Sequence, residues 1–261
     1  MSDNKRSSQA STQKSKECVI EYKVTDQFMK MINKALDATK GVLKTRKENL
    51  KAWTYNDEKE FEGIFGLRGK TDIIINYYTP GQKVNADGEI TPSHIKTTAY
   101  EFIKSGVDRM IDICDSLIVG NRTDENNNII YSNFVNLTDR PIGSARIPAL
   151  QTTHMDLKNH IYKNKSQEEI LKLEYQKKIT IDILQNFTCK KPTGKASQAS
   201  TLCHELSHLF TIWDGVQYYG GLSSDDLGKG REIANARDLI DTHDSKVFKN
   251  AYNIEKYFEI D

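Results

Sequence analysis

The chain has 261 residues, with 37 Lys+Arg against 36 Asp+Glu and a formal net charge of +1. That balance excludes a generally basic, nucleic-acid-coating protein and an acidic solubilising tail protein. Hydrophobic residues make up 37%, enough at this length to bury a core, and no apolar stretch approaches the roughly 18 residues that a membrane-spanning helix needs.

Residues 1–17 hold only Met1 and Ala10 as apolar side chains. Such a segment cannot offset its ordering entropy, so a disordered tail is expected over 1–24. It has no apolar core of a Sec-type signal peptide, so synthesis in the cytosol is expected, with any export by a specialised secretion system. From Thr25, the residues Phe28, Met31, Ile32, Ala35, Leu36, Val42 and Leu43 recur at helical spacing. This predicts a helix capped by Thr25 or Asp26 and running to about Leu50. Asp72 to Tyr78 reads as a short strand, followed by turn signals at Pro80-Gly81 and Asp87-Gly88. A second amphipathic helix is expected over about 98–119, on the stripe Phe102, Val107, Met110, Ile111, Cys114, Leu117 and Ile118. Residues 129–137 read as a strand, Pro141, Gly143 and Pro148 as breaks, and 156–176 as a charged helix. Ile179, Ile181 and Ile183 alternate at period two, which predicts a strand over 178–184. The four cysteines, Cys18, Cys114, Cys189 and Cys203, form no C-x-x-C pair and read as free thiols.

Residues 204–208 read His-Glu-Leu-Ser-His. Histidines at i and i+4 share one helix face, so both imidazoles can reach one ion. The intervening Glu205 points near the same ion and can deprotonate a water held there. Ser197 and Ser200 stand near the start of the expected helix, 197–210. Leu202, Cys203, Leu206, Leu209 and Phe210 form its apolar stripe. A strand, a loop and then this helix is the arrangement of zincin metallopeptidases.

A catalytic zinc ion needs a third protein ligand and an open position. Asp214, six residues past His208, is the nearest candidate if the helix ends near Trp213 and the chain turns at Gly215. Glu232, His243 and the Asp225-Asp226 pair are competitors. Tyr218 and Tyr219 follow, and a phenol near a polarised carbonyl can donate a hydrogen bond to a tetrahedral oxyanion.

These motifs resemble the aspzincin metallopeptidases, the deuterolysin and peptidyl-Lys metalloendopeptidase group. That family shows H-E-x-x-H followed by G-T-x-D-x-x-Y-G. The run from Gly194 to His208 is similar to its lead-in, and Asn250-Ala-Tyr-Asn-Ile-Glu-Lys-Tyr-Phe258 to its closing block. Ala236-Arg-Asp-Leu239 adds to the likeness, and Phe61 to Gly66 is a fainter echo. The resemblance implies His204, His208 and Asp214 as zinc ligands, Glu205 as general base and Tyr219 as the transition-state tyrosine. Ile212-Trp213 replaces the family's Gly-Thr, and the gap to Tyr-Gly is two residues longer, which makes Tyr218 a rival. Glu255 occupies a position that lines the lysine pocket of lysine-specific members. The accompanying aspartate is Tyr252 here, so lysine selectivity is not assigned.

The expected fold is therefore α+β and zincin-like, with a helical N-terminal part, a small sheet, the H-E-x-x-H helix and a helical C-terminal part. One catalytic domain is expected over 25–261, with one zinc ion and a protein or peptide substrate. The resemblance to bacterial effector-type members adds a cognate inhibitor or immunity protein as a partner class. No nucleic acid and no membrane span are expected. The alternatives are a zinc-binding toxin or interaction module with degenerate catalysis, and a zinc amidase acting on cell-wall peptide.

Overall fold

The computed structural model describes residues 24–79, 91–123, 127, 129–140, 143–146 and 166–261. The tail expected over 1–24 lies outside them but for Val24. So do the turns at Pro80-Gly81 and Asp87-Gly88, the breaks at Pro141 and Pro148, and residues 156–165 of the expected charged helix.

The fold is mixed α+β. Helix α1 (Asp26–Ala52) starts where Thr25 accepts the Phe28 N–H, and it buries Phe28, Ile32, Leu36, Leu43 and Leu50. Helix α3 (Ala99–Ser116) has Thr98 as its N-cap and buries Phe102, Val107, Met110 and Ile113. These two helices pack on each other, and α6 (Gln198–Ser207) packs on both. Between α1 and α3 stands α2 (Tyr55–Phe65), which the apolar periodicity did not announce. Its signal is a capping box: Thr54 and Asp57 exchange backbone and side-chain hydrogen bonds.

Strand β1 (Asp72–Tyr77) pairs antiparallel with β2 (Ser93–Thr98). Two short strands, β3 (Arg122–Thr123) and β4 (Ile129–Ile130), form a separate ladder. The expected 129–137 strand is thus broken, because Asn133 does other work. Its amide nitrogen donates to the carbonyls of Tyr175, Gln176 and Ile179, and its oxygen accepts the Ile118 N–H. One buried side chain thereby ties the end of α3 to the end of α4 (Gln167–Lys178).

A three-stranded sheet follows, ordered β5 (Phe134–Leu137), β7 (Ile181–Leu184), β6 (Ala145–Arg146). β5 runs parallel to β7, and β6 antiparallel to it. α4 runs through Lys178, so the strand begins later than the isoleucine alternation predicted. All four β7 residues are buried, as in a central strand. Its one acid, Asp182, meets Arg146 across the ladder at 2.9 Å. The strand that precedes the H-E-x-x-H helix in the sequence is β7. Its neighbours enclose it, and the edge strand β6 and its approach, Gly143 to Ala145, line the cleft instead.

After a single turn, α5 (Gln185–Thr188), comes α6, then a hairpin of β8 (Thr211–Trp213) and β9 (Tyr218–Gly220). The hairpin adjoins β1: Trp213 N–H donates to Tyr78 O, and Tyr78 N–H to Thr211 O, both at 2.8 Å. Helix α7 (Glu232–Asp241), a 3-10 turn (Ser245–Lys249) and α8 (Ala251–Tyr257) close the chain. No described helix is long and apolar enough to cross a membrane.

A buried cation ties the first helix to the last. The Arg46 side chain is 2% exposed. It donates to both Glu60 oxygens at 2.8 Å and to the Tyr257 carbonyl, and its guanidinium lies 4.2 Å from the Tyr257 ring centroid. Glu60→Gln would leave that cation without its counter-charge, so a loss of about 1–3 kcal/mol is expected by chemical denaturation. Asp108→Asn, which breaks the exposed Lys47–Asp108 pair, should cost only about 0–1 kcal/mol.

Candidate metal centre

Helix α6 carries the two histidines. The Ser197 hydroxyl caps it by accepting the Ser200 N–H at 3.0 Å. Ala199, Leu202, Cys203 and Leu206 face the core, and every residue of the helix is buried. His208 is the C-cap and stays in right-handed helical conformation (φ −67°, ψ −24°). The i, i+4 relation to His204 therefore survives, and the two rings meet edge to face with centroids 4.9 Å apart.

The helix stops sooner than residue 210 because a distant segment supplies what another turn would have supplied. The N–H groups of Leu222 and Ser224 both donate to Ser207 O at 3.1 Å, and Ser223 N–H donates to Leu209 O at 3.0 Å. The Ser207 and Ser224 hydroxyls share a 2.6 Å hydrogen bond. Two glycines permit this approach. A Cβ on Gly221 would lie 2.3 Å from Leu206 O, and one on Gly220 (φ +80°) would lie 1.9 Å from Phe210 O. Arg109, only 5% exposed, donates to the carbonyls of Gly220 and Gly221 at 3.3 and 2.8 Å. Burial lowers its pKa to about 10. On the far side, Asp225 bridges to the segment before α8: its N–H donates to Lys249 O at 2.8 Å, and its carbonyl accepts Ala251 N–H at 3.0 Å.

The next residue, Asp226, is thereby delivered to the histidines. Its Oδ1 lies 3.1 Å from His204 Nε2 and 3.7 Å from His208 Nε2. His204, His208 and Asp226 each offer one ligand atom, all within 4.8 Å of one another, so the group could hold a metal ion. The remaining ring nitrogens are turned to fixed partners. His208 Nδ1 lies 3.1 Å from the Ser224 carbonyl, which can only accept, so the proton sits there and Nε2 keeps its lone pair. His204 Nδ1 lies 3.2 Å from Glu255 Oε2, at an angle short of a hydrogen bond. The other Glu255 oxygen accepts from the Ser200 hydroxyl at 3.2 Å.

The electrostatics agree with this geometry. Burial opposes a charged His204, but Asp226 and Glu255 outweigh it and push the ring up to about 10. Burial also pushes both carboxyls up, yet the imidazole between them holds each below its ordinary value. The site favours positive charge between these residues, which a bound cation would satisfy.

Glu205 is buried and lines the same cleft, of about 700 Å³, with His204, Asp226 and Glu255. The other sequence candidates lie elsewhere. Asp214 is not the acid beside the histidines. The chain enters β8 directly after α6, so Asp214 falls in the hairpin turn. There its Oδ1 accepts the N–H groups of Val216 and Gln217 at 2.8 and 2.9 Å, and its Oδ2 accepts the Tyr219 hydroxyl at 3.0 Å. Tyr218 packs on Trp213 and Tyr77, with centroids 4.6 and 5.9 Å away. Neither tyrosine lines the cleft. Glu232 accepts the Gly230 N–H at 2.6 Å, and His243 pairs with the Gly66 carbonyl, both outside the group.

Two residues gained importance. Asp226 was one acid among several in a loop, and the signal that would have selected it is the Gly-Gly-Leu-Ser-Ser run that caps α6. Tyr252, noted only as a departure from the family's aspartate, sets its ring edge-on to His204 at 4.9 Å and lines the cleft. The chain matches no protein-family model and no curated protein.

Chelator-treated protein titrated with zinc should show binding by calorimetry and a raised melting temperature. Asp226→Ala should weaken that binding by at least about 100-fold, by analogy with the loss of well-placed metal-site groups. Asp214→Ala should change it by no more than a few-fold.

Proposed function

We propose that the chain is a zinc-dependent endopeptidase of zincin type, akin to the aspzincins, with Asp226 as third ligand in place of Asp214. The observation that carries this reading is the convergence of Glu205, His204 and Asp226 in one cleft bordered by strand β6, with His208 grouped beside His204 and Asp226. Two imidazole nitrogens and one carboxylate oxygen suit a catalytic zinc ion that keeps an open position. When bound, zinc would supply Lewis acidity and lower the pKa of water.

The chain's own residues do the rest. Glu205 takes the proton of the attacking water and passes it to the leaving amine. His208 is held in one tautomer by the Ser224 carbonyl. Glu255 serves as a positioning residue behind His204 rather than as a receptor for a lysine side chain, because its two oxygens face His204 and Ser200. Tyr252 takes the role first read for Tyr219. Among the described residues its hydroxyl has no hydrogen-bond partner. Burial, with Asp226, Glu232, Glu255 and Glu205 nearby, pushes its pKa up to about 12. It therefore stays a phenol at neutral pH and can donate to the developing oxyanion.

Wild-type protein digested against an unfolded protein mixture should yield new termini by mass spectrometry. Glu205→Gln should bind zinc normally and lose about 10²–10⁴-fold in rate, the range for a lost general base. Tyr252→Phe should lower kcat by about 10²-fold with KM nearly unchanged, the scale of one oxyanion donor. Tyr219→Phe should do neither. Undiminished turnover by Glu205→Gln would overturn the reading.

A further inference from the structure

We propose that the cleft selects its substrate by negative charge and takes an acidic peptide, bound through carboxylates close to the scissile bond. This rests on the endopeptidase reading and adds the substrate class.

Four cations line the cleft: Lys190, Lys195, Arg237 and Lys256. Among the described residues none of them forms an ion pair. Some described cations outside the cleft meet acids, as Lys40 does Asp115 and Lys47 does Asp108, and others, such as Lys30 and Lys44, do not.

The cleft acids are already engaged. Asp226 and Glu255 face His204, and Glu259 accepts the Ala196 N–H at 2.7 Å. Glu205 is the proposed base. With a dication seated, positive charges outnumber negative ones in the cleft, and an anion entering it is drawn in.

Lys190 is the best placed. It is half-buried and donates to the Thr201 hydroxyl at 2.6 Å, one turn before Glu205 on α6. Arg237 projects from α7, whose Ile233 and Ile240 also line the cleft. Ile233 is 73% exposed, an apolar shelf beside the cations. A lysine side chain entering here would meet four like charges, and Glu255, the acid that the family likeness places at a lysine pocket, is turned to His204. The cleft is thus the opposite of a lysine pocket, in keeping with the lysine selectivity left unassigned above.

The test uses zinc-loaded full-length Glu205→Gln and three fluorescein-labelled undecapeptide pools with one random core. The positions flanking the centre are Asp/Glu, Asn/Gln or Lys/Arg. Fluorescence polarisation should show the acidic pool binding at least about tenfold tighter than the amide pool, with the basic pool weakest. Its affinity should fall as sodium chloride rises. Lys195→Glu and Arg237→Glu, and the milder Lys195→Gln and Arg237→Gln, should each weaken the acidic pool and spare the amide pool. C-terminal amidation should leave acidic-pool binding unchanged. A loss on amidation would keep the anion preference but move the carboxylate to the chain end.

Equal binding of all pools, or tightest binding of the basic pool, would overturn the inference. Wild-type protein run against the same pools separates the two readings. Binding of the acidic pool with no cleavage of any pool would sink the peptidase and leave the anion site. Cleavage indifferent to charge would sink the anion site and leave the peptidase.

Discussion

The buried end of α6 is the constraint on which the rest depends. A helix that finishes inside a protein leaves carbonyls with no partner from its own chain, and each would cost on the order of 1–3 kcal/mol if left dry. Here Ser207 and Leu209 carbonyls are satisfied by N–H groups of residues 222–224. The requirement is local, but its solution is long-range. A segment from beyond a hairpin must lie against the helix end, and it can do so only because Gly220 and Gly221 let backbone meet backbone. Arg109 and Tyr175 then hold that segment from the other side. The same strip carries the Ser224 carbonyl that orients His208 and the Asp226 carboxylate that completes the group. The contacts that satisfy the helix end and those that bring the site residues together thus come from the same segment.

The arrangement also explains how so many buried polar groups are tolerated. Among the described residues no carboxylate pairs with Arg109, yet backbone carbonyls and the Ser105 hydroxyl surround its fork. Its lowered pKa records the burial, and a guanidinium lowered to about 10 still carries its proton at neutral pH. Asn133 works in the same way at the other end of α3, with three carbonyls and one N–H gathered on one amide. Such hubs are rigid because removing any partner strands the others. They fix the packing of α3 against α4 and against the strip at Gly220 and Gly221, and a proposed metal site needs such a supporting frame.

What the sequence disclosed divides along the range of the interactions. The helices α1, α3 and α6 were legible, with the α1 cap narrowed to Thr25 or Asp26 and the start of α6 to the region of Ser197 and Ser200, because periodicity and capping are local. The pairing of His204 with His208 was legible for the same reason. β8 and β9 were not, because three-residue strands carry no periodic signal and their pairing with β1 is decided by tertiary contact. The placement of Asp226 was not legible either. Its only trace is glycine and serine at 220–224, a composition that reads as any loop until the helix end it caps is known. Asp214 was favoured on proximity in sequence, yet proximity worked against it: six residues suffice to enter a hairpin, and its carboxylate then caps the hairpin turn.

The proposed relation to the aspzincins would have a physical interpretation. The family pattern places an aspartate and a tyrosine after the second histidine; in that proposal they would correspond to Asp214 and Tyr219, which are joined to each other at 3.0 Å. The two helix-borne histidines are tied by helical geometry, and neither can move without losing the other. A third ligand has no such tie, since any loop that can bring a carboxylate to the open side of the pair will serve. In the proposed centre the capping strip meets that condition at Asp226, which frees Asp214 and Tyr219 to stabilise the hairpin. The tyrosine role is free in the same sense. A phenol on α8, which packs against α6 and brings Tyr252 to His204, can reach the cleft from the opposite wall. The fixed part of such a site is the helix, and the variable part is whatever the fold lays across its end.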